Sequence, residues 1–278
     1  MPRNAFYEHT LDQKNYSSIL IDKRPNGVVV ATLNRPERLN AVTPSMHHEI
    51  VSLAQDIDED PDVKVLVLTG AGRGFCAGGD ASEGTSTDLP ASRGRSAGAP
   101  WREGRRLIDD FIDCETPIIT ALNGVATGMG STIALLGDVI IAARSARIAD
   151  THVRLAMGAG DGGQVLWPLM MGINRAKYYL MTGEFISAEQ AAEMGLVNMV
   201  VDDDKLMGTA LELADRLASG PTLAIAASKL GVNKLIKFMS NLVLPLTIAL
   251  EAATLQSEDA AEAFLAFQQK RKPKFSGK

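Results

Sequence analysis

VKVLVLTGAGRGFCAGGD, residues 63–80, starts as a short β-branched apolar run and ends as a loop with five glycines. Residues 63–69 show almost no alternation of polar and apolar side chains, the pattern of a strand covered on both faces. Upstream, Val28–Leu33 reads as another strand, entered from an Asn26-Gly27 turn and ended by Asn34-Arg35-Pro36. Between the two, Thr43 and Pro44 open a helix whose apolar residues Met46, Ile50, Leu53 and Ile57 step by three and four, and Asp60-Pro61 stops it. The result is a strand–helix–strand unit. Downstream the pattern repeats, with a strand at 117–122, a glycine-containing turn at 123–128, a small-residue helix at 129–136 and two strands at 138–143 and 147–149. Such alternation predicts an α/β core with largely parallel pairing.

From about Lys205 the sequence reads as successive helices at 206–219, 221–238 and 242–267, so a core over 1–204 and a C-terminal helical region over 205–278 are expected. Residues 81–104 are rich in Ser, Gly, Ala and Pro without apolar periodicity, and read as a flexible surface insertion placed to act as a lid.

The chain has 278 residues, 46% of them hydrophobic and 22% charged, with a net charge of −5. This composition excludes general disorder, and the mild acidity excludes a nucleic-acid footprint. Two cysteines, Cys76 and Cys114, form neither a disulfide framework nor a zinc pattern, which points to a reducing compartment and no metal. The N-terminal residues lack a signal-peptide pattern and no run reaches 18 uninterrupted apolar residues, so a cytoplasmic protein without membrane association is expected.

Gly72 to Ala77 satisfies GxGxxA, the weak form of the dinucleotide fingerprint. The helix and the acidic residue that such a site needs next are replaced here by the 81–104 insertion, and no GxxxxGK[ST] occurs. Two glycine loops remain, 70–80 and 123–132, the second running into a helix N-terminus whose first amides lack intrahelical acceptors. Either the glycines serve tight turns alone, or each loop aims one N–H at a shared oxygen, forming an oxyanion hole.

Three segments, Asn34-Arg35-Pro36 with Leu39-Asn40-Ala41, Phe75-Cys76-Ala77-Gly78-Gly79-Asp80 and Asn123-Gly124-Val125-Ala126-Thr127-Gly128-Met129-Gly130, together resemble the enoyl-CoA hydratase/isomerase (crotonase) family. Leu180-Met181-Thr182-Gly183, the 188–197 segment and Ala263-Phe264-Leu265-Ala266-Phe267 resemble it too, so the likeness runs from about 17 to 275. The resemblance implies a spiral of ββα units with a C-terminal helical trimerisation region, assembled as a trimer or a hexamer. It also implies an acyl-CoA thioester as substrate, with coenzyme A part of that substrate and no separate cofactor. The carbonyl-binding amides fall on Gly79 and Met129, and the CoA contacts on Arg38, Leu39, Ala77, Phe267 and Lys270.

The two glutamates of typical hydratases would align with Thr132 and His152, so the usual pair for adding water is missing. His152 suits acid/base work by its pKa, or it is a loop histidine. Asp161, one residue away from the catalytic aspartate of other relatives of this family, is either a second acid/base candidate or a helix cap. The resulting expectation is an acyl-CoA lyase or isomerase, with a hydrolase also open, that stabilises a thioester enolate without two-glutamate chemistry. The alternative is a non-catalytic acyl-CoA-binding homologue.

Overall fold

In a computed structural model, which describes residues 10–80 and 99–278, the apolar run becomes β3 (Val65–Gly70), and all six of its residues are buried. It lies inside a six-stranded sheet ordered β1 (Ile19–Lys23), β2 (Val28–Leu33), β3, β5 (Ile118–Leu122), β7 (Val139–Ala143) and β10 (Met199–Val201). Every neighbouring pair in it is parallel except the β1–β2 hairpin. A smaller sheet is ordered β4 (Gly74–Cys76), β6 (Val125–Thr127), β8 (Arg147–Ala149) and β9 (Ile186–Ser187). Each of β3, β5 and β7 is thus followed by a short strand of the small sheet, and the chain winds as a spiral of ββα units. This is the crotonase-like α/β architecture that the resemblance implied.

Helix α1 (Pro44–Glu59) is capped by Thr43, whose hydroxyl accepts from the Met46 N–H at 3.2 Å. Met46, Ile50, Leu53 and Ile57 all lie on its fully buried face, as their spacing predicts. Helix α3 (Met129–Leu135) follows β6, and α4 (Gly163–Met171) follows a turn at His152–Leu155. Helix α7 (Leu206–Ala218) begins just past the expected boundary at 205, yet it lies on β3, β5 and β7 through Leu206, Ala210, Ala214 and Ala218.

Some sequence expectations are corrected. β1 has no counterpart among the expected strands: its apolar run Ile19-Leu20-Ile21 is only three residues long before Asp22 and Lys23, and of the five residues only Ile19 is buried. β4 and β6 lie inside segments read as glycine loops; three residues each, they are held by neighbouring strands rather than by their own propensity. Residues 99–104 of the expected insertion belong to α2 (Ala99–Asp113), while 81–98, with the expected lid, lie outside the described residues. The two expected helices at 221–238 and 242–267 are divided differently: α8 (Thr222–Leu255) runs unbroken through Pro245, and α9 (Glu258–Gln268) starts at the Ser257 cap.

Polar contacts carry α8 across the supposed break. Asn233 donates to the Ile112 carbonyl at 2.8 Å, Lys237 pairs with Asp113 at 2.6 Å, and Asn241 accepts from Arg105 at 2.6 Å. Lys229 pairs with Asp138 at 2.8 Å. By length and composition α8 could cross a membrane, and Leu223, Val232, Leu235, Phe238, Leu242 and Leu246 are exposed along it.

The 70–80 loop is fixed by Asn40, which is fully buried at φ 57°. Its Nδ2 donates to the carbonyls of Ala71, Gly74 and Phe75 at 3.0, 2.9 and 3.1 Å, and its Oδ1 accepts from the Arg35 N–H at 2.8 Å. The Arg35 guanidinium binds the Ala41 carbonyl and pairs with Asp80 at 3.0 Å, which closes the far end of the loop. Asn40→Ala removes these bonds and leaves buried carbonyls without donors, so we expect a loss of about 2–4 kcal/mol in equilibrium urea unfolding. A loss under about 0.5 kcal/mol would show that the carboxamide does not fix the loop.

Candidate active site

The two glycine loops meet edge to edge. Thr127 donates from its hydroxyl to the Ala77 carbonyl at 2.9 Å, the Val42 N–H donates to Gly78 at 2.8 Å, and the Asp80 N–H donates to Val42 at 3.0 Å. Gly78 has φ 88°, and a Cβ there would lie 2.8 Å from the Thr127 oxygen and 3.7 Å from the Met129 nitrogen. A Cβ at Gly130 would lie 2.2 Å from the Cys76 carbonyl oxygen, so only glycine lets α3 start against β4. Met129 is the first residue of α3, where an amide has no intrahelical acceptor, and Gly128 before it supplies no side-chain cap. Gly79 is exposed, with open space where a side chain would stand.

Cys76 lies beneath this junction and donates from Sγ to the Asn40 carbonyl at 3.1 Å. Burial pushes its thiol up to about 12, and it does the same to Cys114. Both thiols are therefore structural at neutral pH.

His152 stands on the other side of Gly128, where a Cβ would lie 3.4 Å from the imidazole Cε1. The sequence brings it there because β8 ends at Ala149 and the chain turns at once, so that Asp150 and His152 face each other two residues apart. Asp150 Oδ1 lies 2.7 Å from Nδ1 of His152 and also accepts from the His152 backbone N–H at 3.2 Å. Across the ring, Nε2 lies 3.3 Å from Asp161 Oδ2 and 3.9 Å from Glu251 Oε1. Thr132, from α3, donates to Asp161 Oδ1 at 3.3 Å. Asp150 and Thr132 are fully buried, and His152 and Asp161 are each 8% exposed.

These contacts separate the charges. Burial opposes a charged His152, but Asp161 and then Asp150 outweigh it and hold the imidazole well above its ordinary pKa. Burial likewise opposes a charged Asp161, yet His152, with help from the Thr132 hydroxyl and the charge of His47, keeps the carboxyl below the usual carboxylate range. Glu251 is pushed up to about 7, first by burial and then by Asp161, with His152 pulling the other way and Asp150 adding to the rise. At neutral pH the site holds an imidazolium between two aspartates and a glutamate close to half-protonation.

Asp161 and His152, proposed separately from the sequence, are brought together, and Thr132 joins them. Capping of α4 by Asp161 is not found: the α4 N-cap is Gly162, with no side-chain cap. Sequence reading missed Asp150 and Glu251. The Asp-x-His spacing directly after a strand was a usable signal for the first. For the second, Glu251 is the sole charged residue between Lys237 and Glu258.

Among the CoA candidates, Leu39 and Ala77 are joined by a backbone hydrogen bond at 3.0 Å, with Arg38 exposed beside them. Phe267, 58% exposed, and Lys270, at φ 52°, lie at the end of α9, which packs on the His152–Leu155 turn and on α8. Asp150, His152 and Asp161 present ligand atoms within 4.8 Å of one another, a spacing a cation could use. However, Asp150 engages Nδ1 and Asp161 faces Nε2, on different edges of one ring, and this arrangement suits a doubly held imidazolium better than a chelate.

The enoyl-CoA hydratase/isomerase family model matches residues 23–278, and the chain belongs to that family. It is an enzyme family of lyases and isomerases that process acyl-CoA. The chain is 38% identical over 258 residues to the 1,2-epoxyphenylacetyl-CoA isomerase of Escherichia coli (strain K12), covering 91% of this chain and 96% of that protein. It is 32% identical over 257 residues to the short-chain-enoyl-CoA hydratase of Clostridium acetobutylicum, covering 92% and 96%. Among solved structures, an enoyl-CoA hydratase from Mycobacterium avium subsp. paratuberculosis K-10 superposes with a TM-score of 0.83 at 28% identity, covering 94% of this chain and 99% of that one.

The raised Glu251 carboxyl fixes the sign of a pH effect on stability. In the unfolded chain this group loses its proton near the ordinary glutamate value of 4.5, in the folded chain near 7. The folded state therefore binds more protons in that window, and stability falls as pH rises through it. Glu251→Gln removes the penalty. Its advantage over the parent in urea unfolding should grow by up to about 3 kcal/mol between pH 5 and pH 8; an advantage independent of pH would contradict the assignment.

Proposed function

We propose that this acyl-CoA enzyme polarises a thioester carbonyl between the Gly79 and Met129 N–H groups and moves the substrate proton with Asp161, held ionised by His152. The observation that carries this reading is the convergence of Thr132 and His152 on Asp161. By resemblance these are the two positions where hydratases carry glutamates, and here both serve a single carboxylate. Two fixed donors at the oxygen favour the enolate, because they stabilise charge that develops only as the Cα proton leaves. Asp161 accepts that proton: the Cα–H bond breaks, an O–H bond forms on the carboxylate, and the electron pair delocalises onto the thioester oxygen. Returning the proton to another carbon gives an isomerisation. Water addition lacks the second carboxylate that usually activates it, so the reading is an isomerase-type proton shuttle rather than a standard two-glutamate hydratase.

The Leu39–Ala77 ridge with Arg38 is proposed to receive the adenine and phosphates of CoA, joined by Phe267 and Lys270 on α9. No cofactor beyond the CoA of the substrate is invoked. The exposed apolar row of α8 supports self-association as a trimer or as a hexamer built from two trimers, and the acidic, disulfide-poor composition supports a cytoplasmic setting.

Asp161→Asn should lower turnover by about 10²–10⁴-fold across a panel of acyl-CoA thioesters followed by mass spectrometry, with acyl-CoA binding retained. Full turnover in that variant, or crotonyl-CoA hydration by the parent at ordinary hydratase rates, would overturn the reading. Sedimentation equilibrium should give three or six times the 29.7 kDa chain mass, and a monomer at micromolar concentration would remove the assembly from the proposal.

A further inference from the structure

Helix α8 grips the 158–161 loop with one face. Thr247 donates to the Gly160 carbonyl at 3.2 Å, and Thr254 accepts from the Gly158 N–H at 3.0 Å. Glu251 sits between them at the i+4 position from Thr247, so the three side chains line up on one helical face. The approach is close: a Cβ at Gly160 would lie 2.4 Å from the Thr247 carbonyl oxygen and 2.6 Å from Glu251 Oε2. The helix is therefore seated against the residue that precedes Asp161, with a carboxyl group at the point of contact.

An anchor alone does not call for a carboxyl group there. Asp150 and Asp161 already surround the single imidazole, and a third carboxylate brought into the same low-dielectric region adds repulsion. Acceptors also outnumber donors among the described residues: Oδ2 of Asp150 is buried without a hydrogen-bond donor, and Oδ2 of Asp161 has only Nε2 of His152 near it, at 3.3 Å. With His152 cationic and all three acids ionised, the cluster would carry a net charge of −2. One extra proton relieves this. Glu251 is the most open member, its side chain 24% exposed against 9% for His152 and 10% for Asp161, so it is the member best placed to exchange that proton with solvent.

We propose that Glu251 is a positioning residue of the site, which sets the protonation state of the His152–Asp161 pair and carries protons between that pair and solvent. The proposal rests on the reading of Asp161 as the proton acceptor and extends it. Once Asp161 holds the substrate proton, the imidazolium Nε2–H bond breaks and its proton forms an O–H bond on the Glu251 carboxylate, which leaves a neutral His152 with a free Nε2 lone pair. The Asp161 O–H bond then breaks and its proton bonds to Nε2, leaving Asp161 ionised and His152 cationic as before. The 3.9 Å gap between Nε2 and Oε1 closes with a shift of about 1 Å in a long side chain. Among the described residues, the charged and titratable groups that face Glu251 are Asp161, His152 and Asp150, with His47 acting on Asp161 from α1.

The test is imidazole ¹⁵N NMR of His152 across pH 5–9 in the full-length parent, in Glu251→Gln and in Glu251→Asp, the signal being assigned by its loss in His152→Gln. In the parent the His152 resonance should stay in the imidazolium range and shift with an inflection near pH 7, which reports Glu251. The inflection should vanish in Glu251→Gln and persist, displaced, in Glu251→Asp. An inflection that survives unchanged in a folded Glu251→Gln, or its absence from the parent, overturns the proposal. Where turnover is measurable, kcat should lose its neutral-pH limb in Glu251→Gln with KM altered less than about twofold, and an unchanged pH profile would also overturn it. The NMR arm needs no substrate, so failure of the acyl-CoA reading and failure of the Glu251 assignment give separate results.

Discussion

Asp161 carries a negative charge where almost no water reaches it, and the site is organised around keeping it there. One imidazolium and one hydroxyl stand in for the lost solvent, and each comes from a different part of the chain. His152 arrives on the turn after β8, Thr132 on the first turns of α3, and Asp161 on the loop before α4. The spiral makes this possible. Each step from the large sheet to the small one delivers a chain reversal to the same end of the molecule, so segments distant in sequence end side by side. If the small sheet were unpaired, the three groups would have no common frame, and the desolvation cost of Asp161 would return it to the neutral acid.

The same economy governs the glycine loops. They are held in place by contacts that involve no ligand: Asn40 gathers three carbonyls, Arg35 ties off Asp80, and Thr127 bonds to Ala77. The energetic burden of a loop able to present its amides is thus carried by buried polar side chains a few ångströms behind it. Under the proposed reading this would be preorganisation for an enolate, since donors already fixed need no reorganisation when charge develops.

Much of this was legible in residue order, and the failures have physical causes. The strand at β2, the buried face of α1 and the position of α3 followed from local periodicity and capping, which are properties of neighbouring residues. β4 and β6 did not, because a three-residue strand in a glycine-rich segment exists only through its partners. The continuity of α8 past residues 239–241 depends on Asn233, Lys237 and Asn241 finding partners on α2, which no local pattern announces. At the site, His152, Asp161 and Thr132 were identified individually, while their convergence was not. Glu251 was missed, because its meaning comes entirely from a loop some 90 residues earlier in the chain.

Cys76 shows a last consequence of the tight junction beneath the loops. Its sulfur is sealed under Asn40, and Cys114 is equally enclosed, so neither offers a thiolate at ordinary working pH. Maleimides and iodoacetamide will leave the native protein unlabelled, and mild oxidants will find no nucleophilic sulfur on its surface. A cysteine introduced for fluorescence, cross-linking or surface immobilisation would therefore react alone, without first stripping out the native pair.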